Sequence, residues 1–231
     1  MGFLVRVAQW FADPANWQGI GGIPNRLLEH VAMSGAAMLT ALVIALPLGV
    51  LLGHYGVGGG LAINISNVGR AIPSFAILVI ALQVFGIGAP PAFVALVALA
   101  VPPILTNSYV GMRQIDPELR EASRGMGMTE LQLLFGLEMP LALPVIMAGV
   151  RTSGVNVVAT ATLAALVAWG GLGRFIVDGL SQRDFVQLFA GALLVAALSL
   201  SAEGLLAFLQ WLATPAGLRA GGRPRLRRAV A

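Results

Sequence analysis

Little in this sequence could make or break a covalent bond. Its two histidines, His30 and His54, are far apart, and neither has an acidic cluster at metal-ligand spacing, so no metal is expected. The absence of cysteine removes disulfides, thiolate nucleophiles and thiolate metal sites. The run GVGGG at 56–60 lacks the Lys and Ser/Thr of a phosphate-cradling loop and reads as a turn. No Ser/His/Asp triad or catalytic carboxylate pair is presented. The pattern points to a conduit, not an enzyme, with no cofactor bound by this chain. What stands out is charge in apolar surroundings. Arg70, Arg151 and Glu203 lie inside oily runs, where an ionisable side chain is a mark of function. A polar stretch near 113–139 interrupts the oil altogether.

The elements that hold these residues follow from composition. The chain has 231 residues, 58% hydrophobic and 10% charged, with a mean hydropathy of +0.86. Soluble domains carry about 25% charge, so the class is an all-α integral membrane protein. Apolar runs near 31–53, 62–87, 90–112, 140–168 and 185–213 are each long enough to cross a bilayer, which takes about 20 residues. They lack the alternation of barrel strands. The 62–87 run contains Pro73 and reads as one span or two. Prolines 47, 73, 102, 103 and 144, with many glycines, predict kinked, closely packed helices. Residues 1–26 form an N-terminal segment with no convincing signal peptide. Phe3, Leu4, Val7, Trp10 and Phe11 share one helical face there, as in a helix lying at a membrane interface. Residues 27–213 form the membrane domain and 214–231 a basic tail.

All 14 basic residues are Arg. Five lie in the tail, and Arg113, Arg120 and Arg124 lie in the 113–139 loop. With about five spans, loop and tail share one side, so the positive-inside bias predicts the N-terminus outside and the C-terminus cytoplasmic. Arg70, Arg151 and Glu203 then lie at similar depth, roughly 15 Å from the cytoplasmic ends of their spans at about 1.5 Å per residue. Glu203 is expected to pair with one of the two arginines, or the arginines to bind carbonyls of kinked helices.

The loop carries helix signals. Asp116-Pro117 reads as a cap and first turn, with Glu118 and Glu121 near the positive end of the dipole. Gly125 and Gly127 interrupt it. Thr129 with Gln132 makes a second, capping-box start, and Pro140 marks the beginning of the next span. Met126, Met128, Leu131 and Leu134 are more apolar surface than so small an element can cover. They read as a partner surface, or as residues folded back on the membrane.

The spacing Glu121-Ala122-Ser123, Gly127, then Leu137-Glu138-Met139-Pro140 resembles the EAA loop of ABC-importer permeases, with Ser123 in place of Ala and Met139 in place of Leu. The stretches VGRAIPSFAILVIAL, EMPLALPVIMAGVRTS and ATATLAALVAWGGLGRFIVDGL are similar to the glycine betaine/carnitine/choline branch, over roughly residues 27–213. The resemblance implies a type I, MetI-like permease fold in a bacterial plasma membrane. It implies a translocation pathway for a small compatible solute. Implied partners are a second permease chain, cytoplasmic ATPase subunits that hold ATP and Mg, and an external substrate-binding protein, beside membrane lipid and with no nucleic acid. Glu121, Ala122, Ser123, Arg124, Gly125, Met126 and Gly127 would couple to the ATPase, with Gly127 ending the helix. The competing readings are a permease for an amino acid such as methionine and a non-transporting scaffold.

Asn107 and Asn156, with Thr152, Thr160 and Thr162, are candidate pathway residues, or polar groups that bond across helices. Trp169, Gly170, Gly171 and Gly173 are candidates for an outer gate, or for a structural turn. Asp178 and Arg183 would lie on the outer rim facing the binding protein. With 16 aromatics, mostly interfacial in type, an aromatic cage for a quaternary ammonium is expected on the binding protein.

Overall fold

The computed structural model describes residues 2–215, without the side chains of Ile65 and Arg70. The expected tail arginines fall outside these residues. Every regular element among the described residues is a helix: α1 (Phe3–Ala12), α2 (Ile23–Tyr55), α3 (Gly59–Ala71), α4 (Ser74–Phe85), α5 (Ala89–Arg113), α6 (Pro117–Gly125), α7 (Glu130–Leu133), α8 (Met139–Thr160), α9 (Gly173–Ser181) and α10 (Phe185–Ala213). Short 3₁₀ segments occupy Pro14–Trp17 and Ala161–Val167, and a π turn Leu134–Glu138.

Helix α2, α5, the continuous run from Glu130 to Val167, and α10 are long and apolar enough to span a membrane. The fifth expected span, 62–87, is broken. α3 and α4 meet at 87°. Pro73 cannot donate a backbone bond and holds Ile72 in an extended conformation (φ −79°, ψ 121°), so the helix stops there.

The centre is α5, with α2 on one side and α8 on the other. On α2, Ala37, Ala41, Ala45, Gly49 and Gly53 recur every fourth residue and are buried. They meet Ala100, Ile104, Ser108 and Met112 of α5, which share the same spacing and are fully covered. A Cβ added to Gly53 would come within 2.4 Å of Met112 Cβ, so the two backbones approach to a distance that only small residues allow. Polar ties cross the bundle as well. Ser153 donates to the Ala100 carbonyl at 2.8 Å, Ser66 to that of Pro102 at 3.2 Å, and His30 Nε2 lies 2.8 Å from the Val158 carbonyl. Helix α1 lays its apolar face on α9 and α10 through Val7, Phe3 against Phe189, and Trp10 against Phe175.

Candidate functional site

The 113–139 loop folds as its caps predict. Asp116 accepts from the Glu118 N–H at 2.9 Å and opens α6. The helix closes in a Schellman arrangement: the Gly127 N–H donates to the Arg124 carbonyl and the Met128 N–H to that of Ser123. Gly127 adopts φ +87°, the left-handed region that a side chain disfavours. Thr129 and Gln132 exchange both bonds of a capping box. The second short helix differs from expectation at its far end. It has no break before Pro140. α7 runs into α8 through the π turn, whose looser bonding accommodates the donor that Pro140 lacks.

Beneath this loop lies an ion network that the sequence did not announce. Glu138 is fully buried. His54, from the last turn of α2, places Nδ1 2.5 Å from Glu138 Oε2 and Nε2 3.3 Å from Glu130 Oε2. Arg120 of α6 brings Nε within 2.8 Å of Glu138 Oε1 without aiming its N–H at that oxygen, and donates from Nη2 to the Met112 carbonyl of α5 at 2.6 Å. Arg124 makes a two-bonded contact with Glu130 at 2.9 and 3.1 Å, which raises its pKa above the usual arginine value. The buried charges thereby fasten α6 to the ends of α2, α5 and α8.

The outer surface of the same loop is open. Met126, Leu131 and Phe135 are 77%, 70% and 65% exposed and line a shallow groove of about 740 Å³ with Gly127, Met128 and Gln132. Leu134, expected there, turns inward and is buried. Within the EAA segment, Ser123 is buried under α6, while Glu121, Ala122, Arg124 and Gly125 face solvent or lie at the rim.

The intramembrane charges separate. Glu203 pairs with Arg151, whose Nε donates to Glu203 Oε1 at 2.6 Å and whose Nη2 reaches the same oxygen. Arg70 lies near the end of α3, and its side chain is outside the described ones. Asn156 lines the same pocket as Arg151 and Glu203, with Thr152 and Gln210. Asn107 stands apart from it. Its side chain donates to the Pro103 carbonyl at 2.8 Å and packs against Gly149.

The glycines near the start of α9 meet α2. The Gly171 N–H donates to Glu29 at 2.7 Å, and Arg26 holds the same Glu29 oxygen at 2.9 Å. Gly173 is the first residue of α9. Trp169 lines a separate apolar hollow with Met33, Pro90 and Phe93, and its buried indole N–H has no partner among the described residues. Asp178 pairs with Arg174 one helical turn away, at 2.8 Å.

Apolar spans bundled around a capped loop, with one span broken at Pro73, together with a family match, define a class of multi-pass inner-membrane transport subunit. The chain belongs to the family described as binding-protein-dependent transport system inner membrane component, which residues 45–210 match. It is 38% identical over 199 residues to the choline transport system permease protein OpuBB of Bacillus subtilis, covering 86% of this chain and 92% of that one. It is also 38% identical over 191 residues to the glycine betaine/carnitine/choline permease protein OpuCB of the same organism, covering 83% and 88%. Among solved structures, an inward-facing form of the MetNI methionine ABC transporter superposes with a TM-score of 0.69 at 25% identity, covering 84% of this chain and 96% of that one. The fold is that of type I ABC-importer permeases.

Proposed function

We propose that this chain is the permease subunit of an ATP-driven importer for a quaternary-ammonium compatible solute such as glycine betaine, carnitine or choline. The observation that carries the coupling part is the loop's two-sidedness. Its inner face is bolted to three spans through Arg120, His54 and Glu138, while its outer face offers an apolar groove rimmed by charge. An element built this way passes a push from a docked partner to the bundle as a rigid body. The partner the loop fits is an ATPase subunit, which supplies the ATP and Mg chemistry. The choline, carnitine and glycine betaine permeases that the chain matches support the solute class over an amino acid. A second permease chain and an external binding protein complete the assembly, with the loop on the cytoplasmic side and the N-terminus outside.

The test is uptake of labelled glycine betaine, choline and methionine by the complex in proteoliposomes. Uptake of a quaternary ammonium and not methionine is expected. Leu131→Asp, which puts a charge into the groove, is expected to abolish ATPase co-purification and uptake together. Gly127→Pro should do the same by removing the N–H that closes α6. Full co-purification with Leu131→Asp sinks the docking assignment, and methionine uptake alone sinks the solute assignment.

A further inference from the structure

The Arg151–Glu203 pair is unusual for where it lies and for what it leaves unused. Glu203 sits ten residues before the end of α10, about 15 Å into the span at about 1.5 Å per residue. At such depth a charge belongs against protein or a water-filled cavity, not lipid. Yet the two side chains remain 39% and 36% exposed. Both guanidinium bonds go to one oxygen, Oε1. Glu203 Oε2 and Arg151 Nη1 make no bond to a described residue, whereas a saturated fork would engage both oxygens. Thr152 and Asn156 likewise make no side-chain bond to another described residue. These groups line a half-open pocket of about 410 Å³ between α8 and α10.

A second cleft touching the same helices makes the contrast. It is bounded by Met38, Leu42, Val150, Leu198, Leu205 and Leu206, holds about 370 Å³ and is almost wholly apolar. α10 therefore presents one face suited to hydrocarbon and another that is charged.

We propose that the Arg151–Glu203 pocket is a transit subsite for a zwitterion bearing both a carboxylate and a quaternary ammonium. This rests on the proposed function and goes beyond it by naming the residues and the ligand charge pattern. The solute carboxylate takes the open Nη1 edge of Arg151. The ammonium, which has no N–H to donate, sits by charge against Glu203 Oε2, with its methyl groups on Ala148 and Val155. No aromatic side chain lines the pocket. Arg151 and Glu203 also attract each other, so they compete with the solute and keep its hold weak. A site on a conduit needs that weakness, because a solute bound tightly does not leave.

The test compares glycine betaine, which has a carboxylate, with choline, which has none. Uptake is measured in proteoliposomes holding the complete complex, at saturating binding protein. Arg151→Gln is expected to cut betaine uptake about tenfold while choline falls less than about twofold, because a site built to pair a group penalises its mismatch. Glu203→Gln is expected to lower both. The exchange Arg151→Glu with Glu203→Arg keeps an ion pair and is expected to assemble, judged by ATPase co-purification, without recovering betaine uptake. Equal loss of both solutes with Arg151→Gln, or full betaine uptake by the exchanged pair, overturns the subsite and makes the pair a helix–helix tie. Wild-type complex that carries neither solute removes the proposed function, and the subsite with it.

Discussion

Two arginine–glutamate pairs in this molecule use the same chemistry for opposite ends. Arg120–Glu138 is sealed: the carboxylate has no solvent exposure, and histidine and arginine reach it from α2 and α6. Arg151–Glu203 is open: the side chains are 39% and 36% exposed and line a cavity. A sealed charge that loses a partner has nowhere to turn, so it fixes geometry. An open one can exchange partners, so it can handle a ligand. Burial, not residue type, separates a joint from a site.

The largest expected effect breaks the joint. Glu138→Leu leaves Arg120 buried without its carboxylate, at a cost of about 3–5 kcal/mol. A sharp fall in the melting midpoint of the detergent-solubilised complex is expected, and an unchanged midpoint would mean that Arg120 finds water. Replacing Arg151 and Glu203 together by Leu sharpens the contrast. Exchanging the open pair for apolar residues is expected to leave the midpoint unchanged or slightly raised, read in the same melting assay, although uptake is lost. The smallest effect belongs to Arg124→Ala. Its contact with Glu130 is on the surface, so the melting midpoint should barely move, whereas a clear fall would place Arg124 inside the joint.

The spans and the loop's caps were legible in the sequence because their signals are local. Asp116-Pro117, Gly127 and the Thr129/Gln132 box each declare themselves within four residues, and each forms as read. The joint was not legible. His54 and Glu138 are 84 residues apart, and no spacing rule connects the end of α2 with the foot of α8. One signal was available. Glu138 is a carboxylate between Leu137 and Met139 at the edge of a span, the same charge-in-oil cue that drew attention to Glu203. That cue marks a charge but not its partners, because His54 and Arg120 come from other helices. Pro140 is a local signal and holds: α8 starts at Met139 with Pro140 in its first turn, and what no local signal shows is that the π turn joins α7 to it without a break. Glycine positions 170, 171 and 173 showed where a turn lies but not that Glu29 of α2 would grip it, since that contact spans 142 residues.

The π turn at Leu134–Glu138 also acts as slack in the helix. A π turn holds one residue more than the α-helical turn it replaces and closes about the same rotation with it. The surplus residue is therefore absorbed, and α8 leaves on nearly the azimuth that an unbroken α-helix would give it. Deleting one residue there would keep the groove and the Arg151 pocket in phase. Inserting one residue into the regular helix between Pro144 and Arg151 would instead turn the pocket by about 100° relative to the groove. The clocking between the two ends of the molecule thus tolerates a length change at the π turn and nowhere else along that run.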